Sequence, residues 1–361
     1  MSFISSLFGT KKGGSVIGVD VGSSSLKVVQ LRRENGTAVL ETYGEIALGP
    51  YAGAEIGQAT NLPAAKIAET LKDLLRESNV TTKEAGLSIP FSRSLLTLVE
   101  LPRRSNAEEQ KTVISLEARK YIPVPVSEVQ LDWFVLPEAI AEGTEPSPKV
   151  KVLIVAVHND QLSLLQKIVE GAGIFASFYE IEIFSTIRSV VDEPVKPVLI
   201  LDIGASATKV YVVERGVVAL SHNIRQGGQD VTRTIASAHN LEVSHAETMK
   251  KEHGFGAQQA PYDRSTIELV FSRIFEEARR VITKFETAQG RPIAALVLTG
   301  GGGVTKELAA YAQSFFSIPV QVADPFAKTA APAFMRPVLK EIGPEFAVAV
   351  GLALRKLEEL G

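Results

Sequence analysis

The sequence contains no cysteine, few histidines and little excess charge. Its 361 residues include five histidines, and 38 basic residues against 41 acidic ones give a net charge of −3. Without cysteine the chain has no disulfides, no thiolate zinc site and no thiol catalysis. The scattered histidines form no His-Glu-x-x-His metal motif. The balanced charge argues against nucleic-acid binding, which requires a basic stripe or patch.

Long hydrophobic runs are also missing. Glycine, proline or a charged residue interrupts each apolar stretch before it reaches the roughly 20 residues of a membrane span. The first residues, MSFISSLFGTKK, are not typical of a signal peptide, because no charged region precedes the apolar part and no cleavage signal follows it. Helical spacing of the apolar residues allows a tether for a membrane or a partner, but we favour an ordinary frayed end. These residues are Phe3, Ile4, Leu7 and Phe8.

An internal repeat organises the chain. Val16–Leu31 is VIGVDVGSSSLKVVQL and Val198–Val213 is VLILDIGASATKVYVV. Each copy has an apolar run typical of a buried strand, then Asp-x-Gly, a turn of small residues and a second strand, which predicts a β-hairpin. Aligning the copies pairs Asp20 with Asp202, Gly22 with Gly204 and Lys27 with Lys209. The repeat therefore predicts two halves of common design, which begin near Ser15 and Val195.

The repeated turns have the composition of a phosphate-binding site. Backbone N–H groups and hydroxyls of such turns can converge on phosphate oxygens. An aspartate at the end of the preceding strand can hold Mg²⁺, usually through water. One Asp-x-Gly alone is more often an ordinary turn, but two copies at the start of two halves indicate two loops on one anion. The predicted anion ligands are Gly22, Ser23, Ser24, Ser25, Lys27, Gly204, Ala205, Ser206 and Thr208, and the predicted metal ligands are Asp20 and Asp202.

A third element is rich in glycine. Leu296–Val304 is LVLTGGGGV, which predicts a buried strand, a glycine loop and then a helix over Thr305–Phe315. Glycines let a ligand approach the backbone, and a helix N-terminus favours negative charge, although a flexible surface loop is the alternative. Gly228, after the second hairpin, could line the same cleft or belong to a simple turn. The candidate ligands in the glycine loop are Gly300, Gly301, Gly302 and Val304.

The remaining patterns predict a mixed α/β chain. Helices are predicted over Ala64–Ser78, Asn106–Tyr121, Asp160–Gly171, Gln229–Asn240, Ser244–Glu252, Thr266–Gln289 and Glu345–Leu360. Strands are predicted within Ser88–Leu101 and over Val129–Leu136, Val150–Val157 and Ile293–Leu298, with a loop over Ala139–Pro148.

These elements, in this order, resemble the superfamily of actin, sugar kinases and heat-shock chaperone ATPases. The resemblance implies an actin-like fold, a duplicated ribonuclease H-like α/β architecture with ATP and Mg²⁺ between its halves. The hairpins would be the two phosphate loops, and Thr299–Gly303 the adenosine loop. Ala347–Leu354 looks like a connecting helix, with Gly351 where the halves pack closely.

Three further positions take roles from this resemblance. Glu247 and Lys250 look like the pair that borders the adenosine. Glu182 lies where the first connecting region would enter the cleft, and it is the candidate catalytic residue, through contact with Mg²⁺ or water. Alternatively, Glu182 is an ordinary carboxylate at the start of a helix.

Within the superfamily the chain most closely resembles the PilM family of type IV pilus assembly proteins, relatives of the division protein FtsA. Ile17–Leu31 and Leu116–Trp133 (LEARKYIPVPVSEVQLDW) carry this resemblance. The expected organisation is a tail over 1–14, a first half over 15–194 with an inserted interaction subdomain over 85–173, and a second half over 195–361 with a helical subdomain over 228–290.

The resemblance implies a cytoplasmic protein at the inner face of the cytoplasmic membrane. It would bind the N-terminal cytoplasmic segment of a PilN-like membrane protein in the assembly platform of a pilus or a related type II secretion machine. FtsA ends in a membrane-binding helix, and no such helix follows LRKLEELG, which favours indirect attachment through the partner. The expected contact surface is the apolar stretch Tyr121–Pro125 with Val129, Leu131 and Trp133, which could accept an added strand or simply fill a core.

Other functions stay open from the sequence. Self-association into FtsA-like filaments leaves no local motif. A small-molecule kinase of this superfamily needs a catalytic base and a sugar-binding domain, and no aspartate in a matching context follows the first hairpin. The expectation is ATP binding with at most slow hydrolysis.

Overall fold

The structure is a computed structural model that describes residues 14–136, 147–192, 196–256 and 262–359. The N-terminal segment Met1–Lys12 and nearly all of the predicted loop Ala139–Pro148 lie outside these residues. In chain order the strands are β1 Ser15–Val21, β2 Ser25–Glu34, β3 Thr37–Ala47, β4 Glu84–Ile89, β5 Ser94–Pro102, β6 Val129–Val135, β7 Lys149–His158, β8 Phe175–Ile181, β9 Val198–Ile203, β10 Thr208–Glu214, β11 Val217–Ile224, β12 Ala295–Thr299 and β13 Val320–Val322. The α-helices are α1 Ala64–Glu77, α2 Ala107–Ala118, α3 Asn159–Ala172, α4 Glu182–Val190, α5 Gly228–His239, α6 Val243–His253, α7 Arg264–Gln289, α8 Leu308–Phe315, α9 Arg336–Ile342 and α10 Ala347–Glu359.

The first sheet is built on the first repeat. Its order is β3-β2-β1-β4-β8, with an antiparallel meander of β1 to β3 and with β4 and β8 parallel to β1 and to each other. One face packs on α1 and α3, and the other packs on α10. Because β1 is covered on both faces, its apolar run is continuous rather than alternating.

The second sheet repeats the first. Its order is β11-β10-β9-β12-β13, again a meander followed by two parallel strands. Asp20 faces Lys27 across the first hairpin, and Asp202 faces Lys209 across the second. The predicted duplicated, actin-like architecture is therefore confirmed.

A separate three-stranded sheet, β5-β7-β6, is inserted between β4 and α3. One of its faces packs on α2, where Val99, Ile114, Val152 and Ile154 form a buried cluster. This inserted sheet spans residues 94–158. The range predicted for the subdomain, 85–173, thus also takes in β4 and α3, which belong to the first sheet and its core.

Helices α4 and α10 pack against each other beside the first sheet. A Cβ on Gly351 would lie 1.8 Å from Ser185 O, and one on Gly18 would lie 1.9 Å from Ala349 O. Glycine is required at both positions because the backbones touch. This agrees with the prediction that Gly351 permits close packing, and the contact fixes the start of α4 relative to β1.

The predicted starts of α8 and α10 are too early. The helix expected from Thr305 begins at Leu308, because the glycine loop continues as turns and Glu307 adopts a φ of 59°. The glycines therefore do not lead directly into a helix N-terminus. The closing helix expected from Glu345 begins at Ala347, since Glu345 lies in a short 3₁₀ turn over Gly343–Phe346.

Candidate functional site

The two repeated turns meet between the sheets. Ser23 Oγ in the first turn lies 3.1 Å from Ser206 Oγ in the second. The amide of Gly22 donates to the carbonyl three residues later at 3.1 Å, and the amide of Gly204 does the same at 3.0 Å. A Cβ on either glycine would lie within 2.9 Å of that carbonyl. The predicted pair of facing turns is therefore present.

Both turns hold backbone donors that the protein leaves unused. Within the described residues, the amides of Ser23, Ser24, Ala205 and Ser206 donate to no other protein group. All four residues are half-buried. Unpaired amides in neighbouring turns form a concavity that suits an anion such as phosphate.

Strand β4 holds Asp20 in place. Ser88 Oγ donates to Asp20 Oδ1 at 2.9 Å and accepts from the Val21 amide at 2.9 Å. Burial raises the pKa of Asp20, and the charges of Lys27 and Lys209 oppose that rise. Sequence reasoning missed Ser88, although a serine in the otherwise apolar end of β4 was the available signal.

Lys209 joins two carboxylates. Its Nζ donates to Glu182 Oε2 at 2.8 Å and to Asp202 Oδ2 at 3.0 Å. Burial opposes the charged form of the lysine, but Asp202 and Glu182 outweigh that effect and raise the pKa of Lys209. Both acidic side chains are largely buried. The ammonium of Lys209, on β10, therefore lies between the two carboxylates beside the end of β9.

Glu182 has both carboxylate oxygens engaged. Oε1 accepts from the Phe91 amide at 2.7 Å, and Oε2 accepts from Lys209. Burial raises the pKa of Glu182, and Lys209 opposes the rise. Glu182 begins α4, but it bonds to other segments instead of capping its own helix. The structure thus brings Glu182 beside Asp202, as the predicted cleft requires.

The acidic residues do not form a metal cage by themselves. Nowhere in the described residues do three histidine or acidic side chains lie together as a metal-binding group. The ammonium of Lys209 stands between Asp202 and Glu182 instead. Mg²⁺ at this site would therefore be held by Asp20 and Asp202 through water.

The glycine loop packs on the end of β9. A Cβ on Gly300, which has a φ of 80°, would lie 2.4 Å from Asp202 Oδ1. The amide of Gly302 donates to Ile203 O at 2.8 Å, while Gly301 is exposed. Val304 lines a different surface groove, together with Pro337 and Lys340 among others. Gly300 and Gly302 thus serve the packing of the loop, and Gly301 is the open position.

Glu247 and Lys250 form a buried pair next to the second turn. Lys250 Nζ lies 2.6 Å from Glu247 Oε2 and donates to Gly228 O at 3.3 Å. The Gly228 amide donates to Gly204 O at 2.9 Å. Burial raises the pKa of Glu247, but Lys250 more than offsets this and leaves it lowered. The predicted pair is thereby tied to the second turn.

Two residues that were predicted to bind the anion form bonds within the protein. Thr208 is fully buried and donates to Gln226 O at 2.8 Å, so it holds the segment before α5. Lys27 Nζ bonds Ser25 Oγ at 2.7 Å and Glu45 Oε1 at 2.9 Å. The first lysine of the repeat thus has a different acidic partner from the second.

The family follows from these features and from comparison with known proteins. The family model for type IV pilus assembly protein PilM matches residues 18–357. The chain belongs to the PilM family. A solved structure described as a PilM-PilN type IV pilus biogenesis complex is 26% identical, covers 95% of this chain and 98% of that chain, and superposes with a TM-score of 0.80. The predicted family is confirmed.

More distant structures share the fold of this PilM-family chain. The ethanolamine utilization protein EutJ from Carboxydothermus hydrogenoformans is 14% identical, with 94% and 89% of the two chains covered and a TM-score of 0.54. MreB5 of Spiroplasma citri bound to ADP is 13% identical, with 96% and 97% covered and a TM-score of 0.53. Among the described residues, no helix combines the length and apolar character needed to cross a membrane.

The loop between β3 and α1 contacts both the first turn and the helices α5 and α6. The Thr60 amide donates to Ser23 O at 2.8 Å, and the Ala59 amide donates to Gln229 Oε1 at 3.1 Å. The Ser244 amide donates to the Glu55 carboxylate. Sequence reasoning missed this loop, because its contacts lie far apart along the chain and no motif marks them.

Proposed function

We propose that this PilM-family protein is the nucleotide-binding, actin-like component of a type IV pilus assembly platform at the inner face of the cytoplasmic membrane. There it binds the cytoplasmic N-terminal segment of a PilN-like membrane protein. The observation that carries the nucleotide part is the meeting of two turns whose amides are unpaired. The similar PilM-PilN complex supports the partner.

The ligand that suits this site is ATP with Mg²⁺. The amides of the two turns would hold phosphate oxygens, and Lys27 adds a cation beside the first turn. Asp20 and Asp202 would orient the water around Mg²⁺. The open Gly301 and the Glu247–Lys250 pair border the region beyond the second turn. Nucleotide binding in a protein of the same fold, MreB5 with ADP, is consistent with this assignment.

Hydrolysis is proposed to be slow or absent. A general base must be free to accept a proton from the attacking water. Glu182 instead accepts from the Phe91 amide and from Lys209. The bound nucleotide would therefore stabilise one conformation rather than drive rapid turnover.

For the apolar residues of β6 the sequence left two interpretations open, a partner surface or a core, and the core interpretation agrees with their packing. Val129, Leu131 and Trp133 pack toward α2 in the core of the inserted sheet. Side chains alternate along a strand, so Phe134 points to the opposite face. It lies in register with Leu153 of β7 and is 57% exposed.

Among the described residues, strand β6 also lies at the edge of its sheet. An extended peptide can add to such an edge by backbone hydrogen bonds, while neighbouring pockets select its side chains. Tyr121, on the way into β6, is a second exposed aromatic residue. We assign the PilN-like segment to this edge, with Phe134 as its apolar anchor.

Phe134→Ala should weaken binding of a peptide with the N-terminal sequence of the PilN-like partner by about tenfold, because an aromatic anchor typically contributes more than 1 kcal/mol. Isothermal titration calorimetry measures the affinity. Phe175→Ala is the matched control, since Phe175 is 70% exposed but lies on β8 in another sheet. Equal affinity for wild type and Phe134→Ala would contradict the assignment of this edge.

The function as a whole is tested on the wild-type protein with Mg-ATP and the peptide. Retention of ATP together with peptide binding, without product formation, is the expected result. Rapid ATP consumption that depends on a small acceptor would instead indicate a kinase. Sedimentation of the protein on ATP addition would indicate a filament-forming ATPase.

A further inference from the structure

We infer that Lys209 is the built-in counter-cation of the nucleotide site, whose ammonium lets the two turns hold triphosphate when no divalent metal is bound. The inference rests on the proposed nucleotide binding and adds a role that the repeat alone does not give. It concerns the charge balance of the site, not the identity of its ligand.

The site brings three carboxylates together. Asp202 and Glu182 are bonded to the same ammonium, and Asp20 is close enough to interact electrostatically with both acids and with Lys209. Asp202 and Glu182 are nearly inaccessible to solvent. Buried like charges repel strongly because water screens them little, and a triphosphate would add to this repulsion. A cation is therefore needed at this point before an anion can bind.

The two lysines of the repeat are not equivalent in this respect. Lys27 and Lys209 occupy the same position in their hairpins, each across from the loop aspartate. Lys27 is paired with Glu45 on β3, at the more exposed side of the site. Lys209 is paired with Asp202 and Glu182. Lys209 thus bonds the aspartate of its own hairpin, whereas Lys27 bonds a glutamate on the next strand.

The three carboxylates of the site are not arranged as a metal-binding group. In the part of the chain that the structure describes, no three acidic or histidine side chains are arranged for a metal. The ammonium of Lys209 lies 2.8 Å from Glu182 Oε2 and 3.0 Å from Asp202 Oδ2. The lysine and a hydrated Mg²⁺ would thus supply positive charge to the same acids.

The test measures ATP affinity by equilibrium dialysis, once with excess Mg²⁺ and once with excess EDTA, for wild type and Lys209→Met. In Lys209→Met the ratio of Kd in EDTA to Kd in Mg²⁺ should be at least tenfold higher than in wild type. The reason is that Mg²⁺ can replace the lost positive charge of the lysine, whereas in EDTA nothing replaces it. Lys209→Arg keeps the charge and should retain the wild-type ratio to within about threefold.

A second substitution separates charge from structure. Glu182→Gln combined with Lys209→Met restores the net charge of the wild-type site, so the double variant should return toward the wild-type ratio. If Lys209→Met does not fold, Glu182→Gln is compared with the double variant. Glu182→Gln and the double variant differ only in the ammonium of Lys209, and neither contains an unpaired Glu182. The ratio of Kd in EDTA to Kd in Mg²⁺ should be at least tenfold higher in the double variant than in Glu182→Gln.

The outcomes are distinct. An unchanged ratio in Lys209→Met, an equal loss of affinity in both conditions, or no recovery in the double variant would overturn the role of Lys209. Those results would leave nucleotide binding intact in the wild type. No ATP binding by the wild type in either condition would overturn the proposed nucleotide function and this inference with it.

Discussion

Asp20→Asn or Asp202→Asn is expected to weaken ATP binding in the presence of Mg²⁺ by about 10–100-fold, the usual loss when a group that orients a metal's ligands is removed. Asparagine keeps the volume and the hydrogen-bond acceptor, so Ser88 and Lys209 retain a partner. Each variant should therefore remain folded. Titration calorimetry with Mg-ATP measures the effect.

The same variants behave differently without metal. In EDTA the aspartates only repel the phosphates, so neither substitution should lower the affinity. Asp192→Asn is the control, because that side chain is 86% exposed and pairs with Lys328. Unchanged affinity for Mg-ATP in both site variants would defeat the assignment of the two aspartates.

Gly351→Ala is expected to destabilise the fold by at least about 2 kcal/mol, as overpacking of a tight backbone contact does. The added Cβ would lie 1.8 Å from Ser185 O, so α10 must move away from α4. Alanine normally stabilises a helix relative to glycine by about 1 kcal/mol. A loss of stability in Gly351→Ala would therefore report the steric clash and not helix propensity. Urea unfolding followed by circular dichroism measures the midpoint.

The packing partner of this glycine also matters to the site. Helix α4 begins with Glu182, and α10 contributes Arg355, which bonds Glu180 Oε1 at 2.8 Å. Glu358→Ala is the matched control on α10, because Glu358 is exposed and its replacement should change stability by less than about 0.5 kcal/mol. A Gly351→Ala protein as stable as the control would show that α10 is free to shift.

The repeat accounts for most of what the sequence could predict. A strand, an Asp-x-Gly turn and a second strand form a local unit, so both hairpins and their glycines were readable without tertiary information. The predicted turn residues Ser23 and Ser206 do meet. Lys209 was visible in the same alignment, but it was not among the predicted ligands. A lysine's acidic partners are set by packing, and no local pattern distinguishes Lys209 from Lys27.

The other differences between the sequence predictions and the structure also arise from tertiary packing. Whether Trp133 or Phe134 faces outward depends on which side α2 covers, and alternation along β6 is the same in either case. The start of α8 depends on how Gly300 and Gly302 pack on β9, which delays the helix beyond Glu307. Ser88 contributes one hydroxyl from a neighbouring strand, so its role appears only when the sheet is assembled.

The loop around Glu55–Thr60 ties a segment near the start of the chain to α5 and α6. Separation of the halves must break the Ala59–Gln229 hydrogen bond and the bond from Ser244 to Glu55, at a net cost of roughly 0.5–1.5 kcal/mol each. Release of a trapped ligand would then be slower than diffusion from an open cleft. The residence time of the ligand, more than its affinity, would therefore measure what the loop around Glu55–Thr60 contributes.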